Sequence, residues 1–523
     1  MNVVVANAKC SVEGESPTFA DAKIGTVRRR GPLRAAVEWC VWLLLAAAAM
    51  ETWFVAGLAV PWRVVGGSMA ETLLGTHRNV ACADCGRQFA CSADQSPAPP
   101  RAVCPNCGYA ANDVQSPPDL DGDRLLVDRT AFSLRPPRRW EIVALRHPQR
   151  ADEILVKRVV GLPGESIEIR NGDVYADGEI QRKNLAEQHA LAILVYDAGC
   201  RPALEPTPPP RWRAERRETG WSSAGGCFSH TTGVKTGPVD WLVYHHVRRL
   251  AGGSTVESPV TDVCGYDQSQ PRREEDVHAV ADLLLSFWLE PAGNGTFFVR
   301  ADDGVETFEV RLHFLGKGPD TWQYEAFRGN EAIPGASGSV RHADRRFVEV
   351  SLIDQQFLLA LDGQTLVAWP YQRPTAASPP STPLAIGAEG RLETTVRELR
   401  VYRDVYYTQP IGSGVKGDSP IFAETKIGTV PFARTKIGTV PSKIGTIPVA
   451  TAGEPTRLAD DEYFVLGDNS PISDDSRCWP DRGAVSDKLL IGKPLAAIPS
   501  IEAAPWRGWR FQVPNLRRIR YIH

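Results

Sequence analysis

Ile154-Leu155-Val156-Lys157-Arg158-Val159-Val160-Gly161-Leu162-Pro163-Gly164 is the stretch on which the reading of this chain turns. Its branched aliphatic residues, closed by a Gly-Leu-Pro-Gly turn, predict a buried strand. The same run carries a lysine. A lysine acts as a base only in its neutral form, which burial among apolar groups favours. A hydroxyl for it to activate stands at Ser68-Met69, shortly after an apolar segment at 33–60. A nucleophile at a membrane surface and a base on a buried strand point to peptide cleavage beside a bilayer.

Similar strand patterns lie at 124–128, 141–145, 166–170, 173–178 and 462–466. Short strands separated by turns predict an antiparallel, mainly β domain built from 61–80, 109–182 and 458–500. The 523 residues suffice for two or three cores, and 41 Pro and 45 Gly against 3 Met favour strands and turns over helical bundles. A net charge of −3 argues against nucleic acid as a main partner. Residues 33–60 are expected to form one transmembrane helix, even though Glu38 and Glu51 interrupt it. Arg28, Arg29, Arg30 and Arg34 would hold a disordered 1–32 in the cytoplasm and place the rest outside. A cleaved secretory signal is the rival, with an unusually long leading region.

Residues 183–408 change character and read as a β-sandwich insertion, with a hairpin turning at Asp362-Gly363. Lys426-Ile427-Gly428-Thr429-Val430 recurs at 436–440, in altered form at 443–447, and at 23–27. Repeats this short cannot each pack, so 409–457 reads as a repetitive linker. Residues 501–523 read as a basic tail, either solvated or touching anionic lipid. Cys82-x2-Cys85 and Cys104-x2-Cys107, each followed by glycine, have the spacing of a Zn²⁺ ribbon across 81–108. Two disulfides are the alternative if the segment is extracytoplasmic. Either role is structural, and Cys91, Cys200, Cys227, Cys264 and Cys478 show no ligand spacing.

Gly67-Ser68-Met69, Gly122-Asp123, the run 157–165 and Gly467-Asp468-Asn469-Ser470-Pro471-Ile472-Ser473-Asp474-Asp475-Ser476-Arg477 resemble four ordered boxes of the type I signal peptidases. The resemblance implies a β catalytic domain with Ser68 as nucleophile and Lys157 as general base. It further implies that Ser473 orients the lysine and that Asp475 and Arg477 form an ion pair shaping the site. No catalytic cofactor is implied. The implied substrates are signal-peptide-bearing preproteins, cut on the outer face of the cytoplasmic membrane. The long insertion is similar to concanavalin-like, laminin-G-type sandwiches in its Phe-Val-Glu-Val and Leu-Asp-Gly patterns. Two positions depart from the peptidase pattern. Gly66 stands where a hydroxyl often assists the oxyanion, and Glu71 stands where proline is usual. Taken alone, Ser68 reads as a loop serine and Lys157 as a lysine at a strand edge; the ordered set reverses both. The rival functions are a Ser-Lys protease that cleaves itself or a regulator, and a non-catalytic anchored sandwich on a decayed peptidase scaffold.

Overall fold

The computed structural model describes residues 32–50, 59–94, 101–232, 239–250, 253–268, 276–315, 321–373, 378–408, 455–502 and 512–522. The expected N-terminal segment and nearly all of the repetitive linker therefore lie outside the described residues. The chain divides into two units, Met1–Ala56 and Gly57–His523.

In the first unit the apolar segment is a helix over Pro32–Met50. The expectation of a span across 33–60 is corrected, because Ala59 already opens a strand, Ala59–Arg63. Arg34 and Glu38 fall within the first turns of the helix. Its uninterrupted apolar stretch is thus shorter than the ~20 residues a bilayer requires. Among the described residues, no helix is long and apolar enough to cross a membrane.

In the second unit, strands from both sides of the long insertion interleave. One sheet runs in the order Ala59–Arg63, Arg124–Asp128, Leu490–Ile498, Ile142–Arg146, Ile154–Gly161, Glu462–Leu466 and Val485–Ser486. All neighbouring pairs in it are antiparallel. A smaller sheet orders Glu179–Ile180, Asp173–Ala176, Ser166–Arg170 and Thr456–Arg457. The strand Ile154–Gly161 is buried almost throughout because apolar clusters cover both faces. Val143, Leu145, Leu155 and Val159 pack with Val465 and Trp479, while Ile142, Ala144 and Val156 pack with Trp62, Met69 and Leu73. A strand covered on both sides needs a continuous apolar run, which is what its sequence supplies. The basic tail is held to this host domain: Arg520–Tyr521 pairs with Leu490–Ile498, and Arg520 reaches Asp123 at 2.5 Å.

The insertion is built on two strands of 20 residues, Leu283–Asp302 and Leu384–Arg403, paired antiparallel. The first pairs with Arg346–Ile353 through its opening half and with Thr307–Leu315 through its closing half. The two halves fold face to face, and the rings of Phe308 and Phe357 stack 5.1 Å apart between them. Asp362 and Gly363 both take positive φ at the hairpin turn, as their dipeptide predicts. The ends of the insertion meet, with Ile193 opposite Arg403.

Candidate functional site

Ser68 lies in a tight loop that leaves Ala59–Arg63 and is anchored from below by its neighbour. Met69 and Leu73 sink into the cluster containing Trp62, Leu125 and Val156. A helical turn follows, with Ala70 N–H donating to Gly67 O and Leu73 N–H to Met69 O. The Gly122-Asp123 pair clamps both ends of this loop. Asp123 O accepts from Val64 N–H and Asp123 N–H donates to Leu74 O, each at 2.9 Å, while the Asp123 carboxylate accepts from Leu74 N–H at 3.0 Å. Any Cβ at residue 122 would strike the Leu74 carbonyl at 2.8 Å, so glycine is required there. Gly66 is buried, with its carbonyl packed against Gly75.

Neighbouring residues of a strand point to opposite faces, and Lys157 and Arg158 divide the work accordingly. Lys157, fully buried, donates from Nζ to Ser473 Oγ at 3.1 Å. Arg158, also fully buried, forms a two-pronged pair with Asp468, Nε to Oδ1 at 2.8 Å and Nη2 to Oδ2 at 2.6 Å. Thr72 of the serine loop donates to the same Asp468 oxygen at 2.6 Å. Asn469 completes the junction. Its backbone N–H donates to Ser68 O and its side chain to Gly67 O, both at 3.0 Å. A side chain at Gly467 would collide with Ser473 Oγ and approach the Ser68 carbonyl to 2.5 Å. The loop carrying Ser473 therefore lies against the loop carrying Ser68, with only a glycine between them.

Asp475 and Arg477 form a buried bidentate pair at 2.9 and 2.6 Å, and Asp475 also accepts from Gly467 N–H at 3.0 Å. Burial tends to raise the Asp474 carboxyl. Hydrogen bonds from His147 and the Trp479 indole, with the nearby Lys157 charge, hold it below the ordinary range. Glu71 is half-buried, and desolvation pushes its carboxyl up against the pull of Arg403, Arg87 and the Gly265 N–H. Its neighbours thus belong to the insertion and the cysteine lobe. The insertion approaches the site elsewhere too: Tyr266 OH donates to Thr76 O at 3.0 Å, and Asn469 of the 467–477 loop donates to Asp267 at 2.5 Å.

Sequence reading gave no role to Arg158, Asp468, Asn469 or Thr72. The first three stood inside the recognised boxes, where a partner assignment was available. Thr72 and Tyr266 carried no signal, because their contacts span 396 residues for Thr72–Asp468 and 190 for Tyr266–Thr76.

The four cysteines converge as two matching knuckles. Gly86 N–H donates to Cys82 O and Gly108 N–H to Cys104 O, each at 2.9 Å, with both glycines at positive φ. The sulfurs of Cys82 and Cys107 are 3.6 Å apart and those of Cys85 and Cys104 are 3.7 Å apart. A disulfide requires ~2.05 Å. A tetrahedron of sulfurs about Zn²⁺, with bonds of ~2.3 Å, has edges of about 3.8 Å.

The family model "Signal peptidase, peptidase S26" matches residues 112–204 and 425–498. These segments contain Lys157 and the 467–477 loop, while Ser68 precedes them. "Probable signal peptidase I-1" of Synechocystis is 32% identical over 14% of this chain and 40% of its own length. "Signal peptidase I" of Leptolyngbya laminosa is 36% identical over 12% and 34%. The chain thus spans less than half the length of these relatives. A Bacillus licheniformis beta-glucanase structure covers 37% of this chain and 92% of its own at 12% identity, with a TM-score of 0.23. In the segments that carry its lysine and its Gly-Asp-Asn loop, the chain is similar to the type I signal peptidases of family S26.

Proposed function

We propose that the chain is a serine endopeptidase that removes N-terminal signal peptides from exported preproteins at the outer face of the cytoplasmic membrane. The observation that carries this reading is the packing of three distant segments around Gly467, which brings the Ser68 loop, Lys157 and Ser473 into one buried cluster. Ser68 Oγ attacks the scissile carbonyl as Lys157 takes its proton, and Ser473 fixes the amine. The Ser68 backbone N–H donates to no described residue and is available to the oxyanion. Lys157 then protonates the leaving amine and activates the water that releases the acyl-enzyme. Membrane association is supported by the helix Pro32–Met50, which exposes Trp39, Trp42, Leu43, Leu44 and Leu45. The test is to incubate the purified chain with a labelled signal-peptide substrate and map the cut. Hydrolysis elsewhere, or none, overturns the reading and leaves a regulator-cleaving or non-catalytic role.

Gly467→Ala probes the packing directly. Displacing Ser473 and the Ser68 carbonyl by about 1 Å should lower kcat ~10²-fold while substrate affinity holds. Unchanged kcat would show that the junction does not position the reacting groups.

Cys82, Cys85, Cys104 and Cys107 are proposed to hold a structural Zn²⁺ with no open position for catalysis. Metal analysis should return one zinc per chain, lost in Cys104→Ser together with the order of the lobe. A zinc-free protein with two disulfides by mass spectrometry would refute the proposal.

A further inference from the structure

We infer that the junction between host and insertion is a second metal site, holding a hard divalent cation of the Ca²⁺ class through Asp173, Asp282 and Asp354. One carboxylate oxygen from each lies within 4.8 Å of the other two, and all three residues are buried. Two oxygens bound to one Ca²⁺ at ~2.4 Å can be no further apart than about that distance. Asp173 belongs to the host strand Asp173–Ala176, whereas Asp282 and Asp354 belong to the insertion. A cation there would tie the insertion to its host across their junction.

Two further observations point to a missing positive partner. Asp173 as a residue is only 7% exposed, yet its carboxylate makes no hydrogen bond or ion pair with any described residue. Asp404 lines a cavity at this junction together with Asp173 and Asp282, and its Oδ1 is buried without a partner while Oδ2 accepts from Lys183 at 2.8 Å. The charges do not balance. Four carboxylates, Asp173, Asp282, Asp354 and Asp404, face two cations. Lys183 holds Asp354 at 2.6 Å and Arg373 holds Asp282 at 3.0 Å. A fifth carboxylate, Asp303, lies 3.9 Å from Arg373 but is already served by the N–H groups of Val305 and Glu306 and by the Tyr371 hydroxyl. Carboxylates thus outnumber cations in a poorly solvated site, an excess that a divalent ion offsets. The donor set is all oxygen, which selects Ca²⁺-like ions over the thiolate- and imidazole-seeking metals. The cavity of about 130 Å³ has room for the ion and its waters.

The experiment uses the full chain, stripped with chelator and reloaded with one equivalent of Zn²⁺ so that the cysteine lobe stays filled. Titrating Ca²⁺ should raise Tm in a saturable way. Tb³⁺ should bind competitively with Ca²⁺ and luminesce on excitation of tyrosine, Tyr406 being part of the cavity wall. Asp173→Asn should abolish both responses while raising the Tm of the metal-free protein, because it removes a like charge from the cluster. Asp119→Asn, an exposed acidic control, should retain both. If Asp173→Asn does not fold, Tb³⁺ titration of the wild type decides alone. No Ca²⁺-dependent shift at millimolar concentration, or a shift that survives Asp173→Asn, overturns the inference.

Discussion

Ser68→Ala and Lys157→Ala should each reduce cleavage of a signal-peptide substrate by about 10⁴-fold or more, and the double variant should be no slower than either single one. Non-additivity is expected because nucleophile and base perform one step together, so removing either removes the step. Lys157→Met offers a better-controlled companion. It keeps the apolar stem that fills the buried site and deletes the amine that meets Ser473. Tm should stay within a few degrees of wild type, so that lost activity cannot be assigned to unfolding. Ser473→Ala should cost less, since the amine survives and only its orientation is relaxed. Full activity in either dyad variant would refute the assignment of Ser68 and Lys157.

The second large effect is on stability. Arg158→Ala should destabilise the host domain by about 3–5 kcal/mol, the cost of leaving one member of a buried pair unpartnered. The side chains of Arg158 and Asp468 are 0% and 1% exposed, so the stranded Asp468 charge would have no solvent to turn to. A loss of that size is a large share of the ~5–15 kcal/mol that separates folded from unfolded domains. The double replacement Arg158→Met with Asp468→Leu should recover much of it, because no charge is then left buried. Activity need not return with stability, since Asp468 also receives the Thr72 hydroxyl of the serine loop. Denaturant midpoints for the two singles and the double test this. A single-variant cost below ~1 kcal/mol would mean that the pair is hydrated in solution.

The parts of this architecture that were legible were those written locally. The continuous apolar run around Lys157 announced a buried strand, and Asp362-Gly363 announced its hairpin. The cysteine spacing foretold that the four sulfurs converge. The apolar segment before Ser68 was misjudged in length, because hydropathy alone carried it past Met50 into residues that begin the sheet. The contact of the basic tail with Asp123 through Arg520 was not legible, because nothing nearby in sequence reveals it. Likewise, Asp173, Asp282 and Asp354 look like ordinary surface aspartates until the insertion folds back on its host.

Because Ile193 pairs with Arg403, the insertion leaves and rejoins the host at one place. To the host sheet, that whole excursion is geometrically a short turn, but only once the excursion has ordered itself. Until then Glu462–Leu466 sits at the far end of a long flexible tether from the Ile154–Gly161 strand it must join, and the entropy of closing such a loop opposes their meeting. Ordering of the insertion shortens that loop and so favours completion of the junction around Gly467.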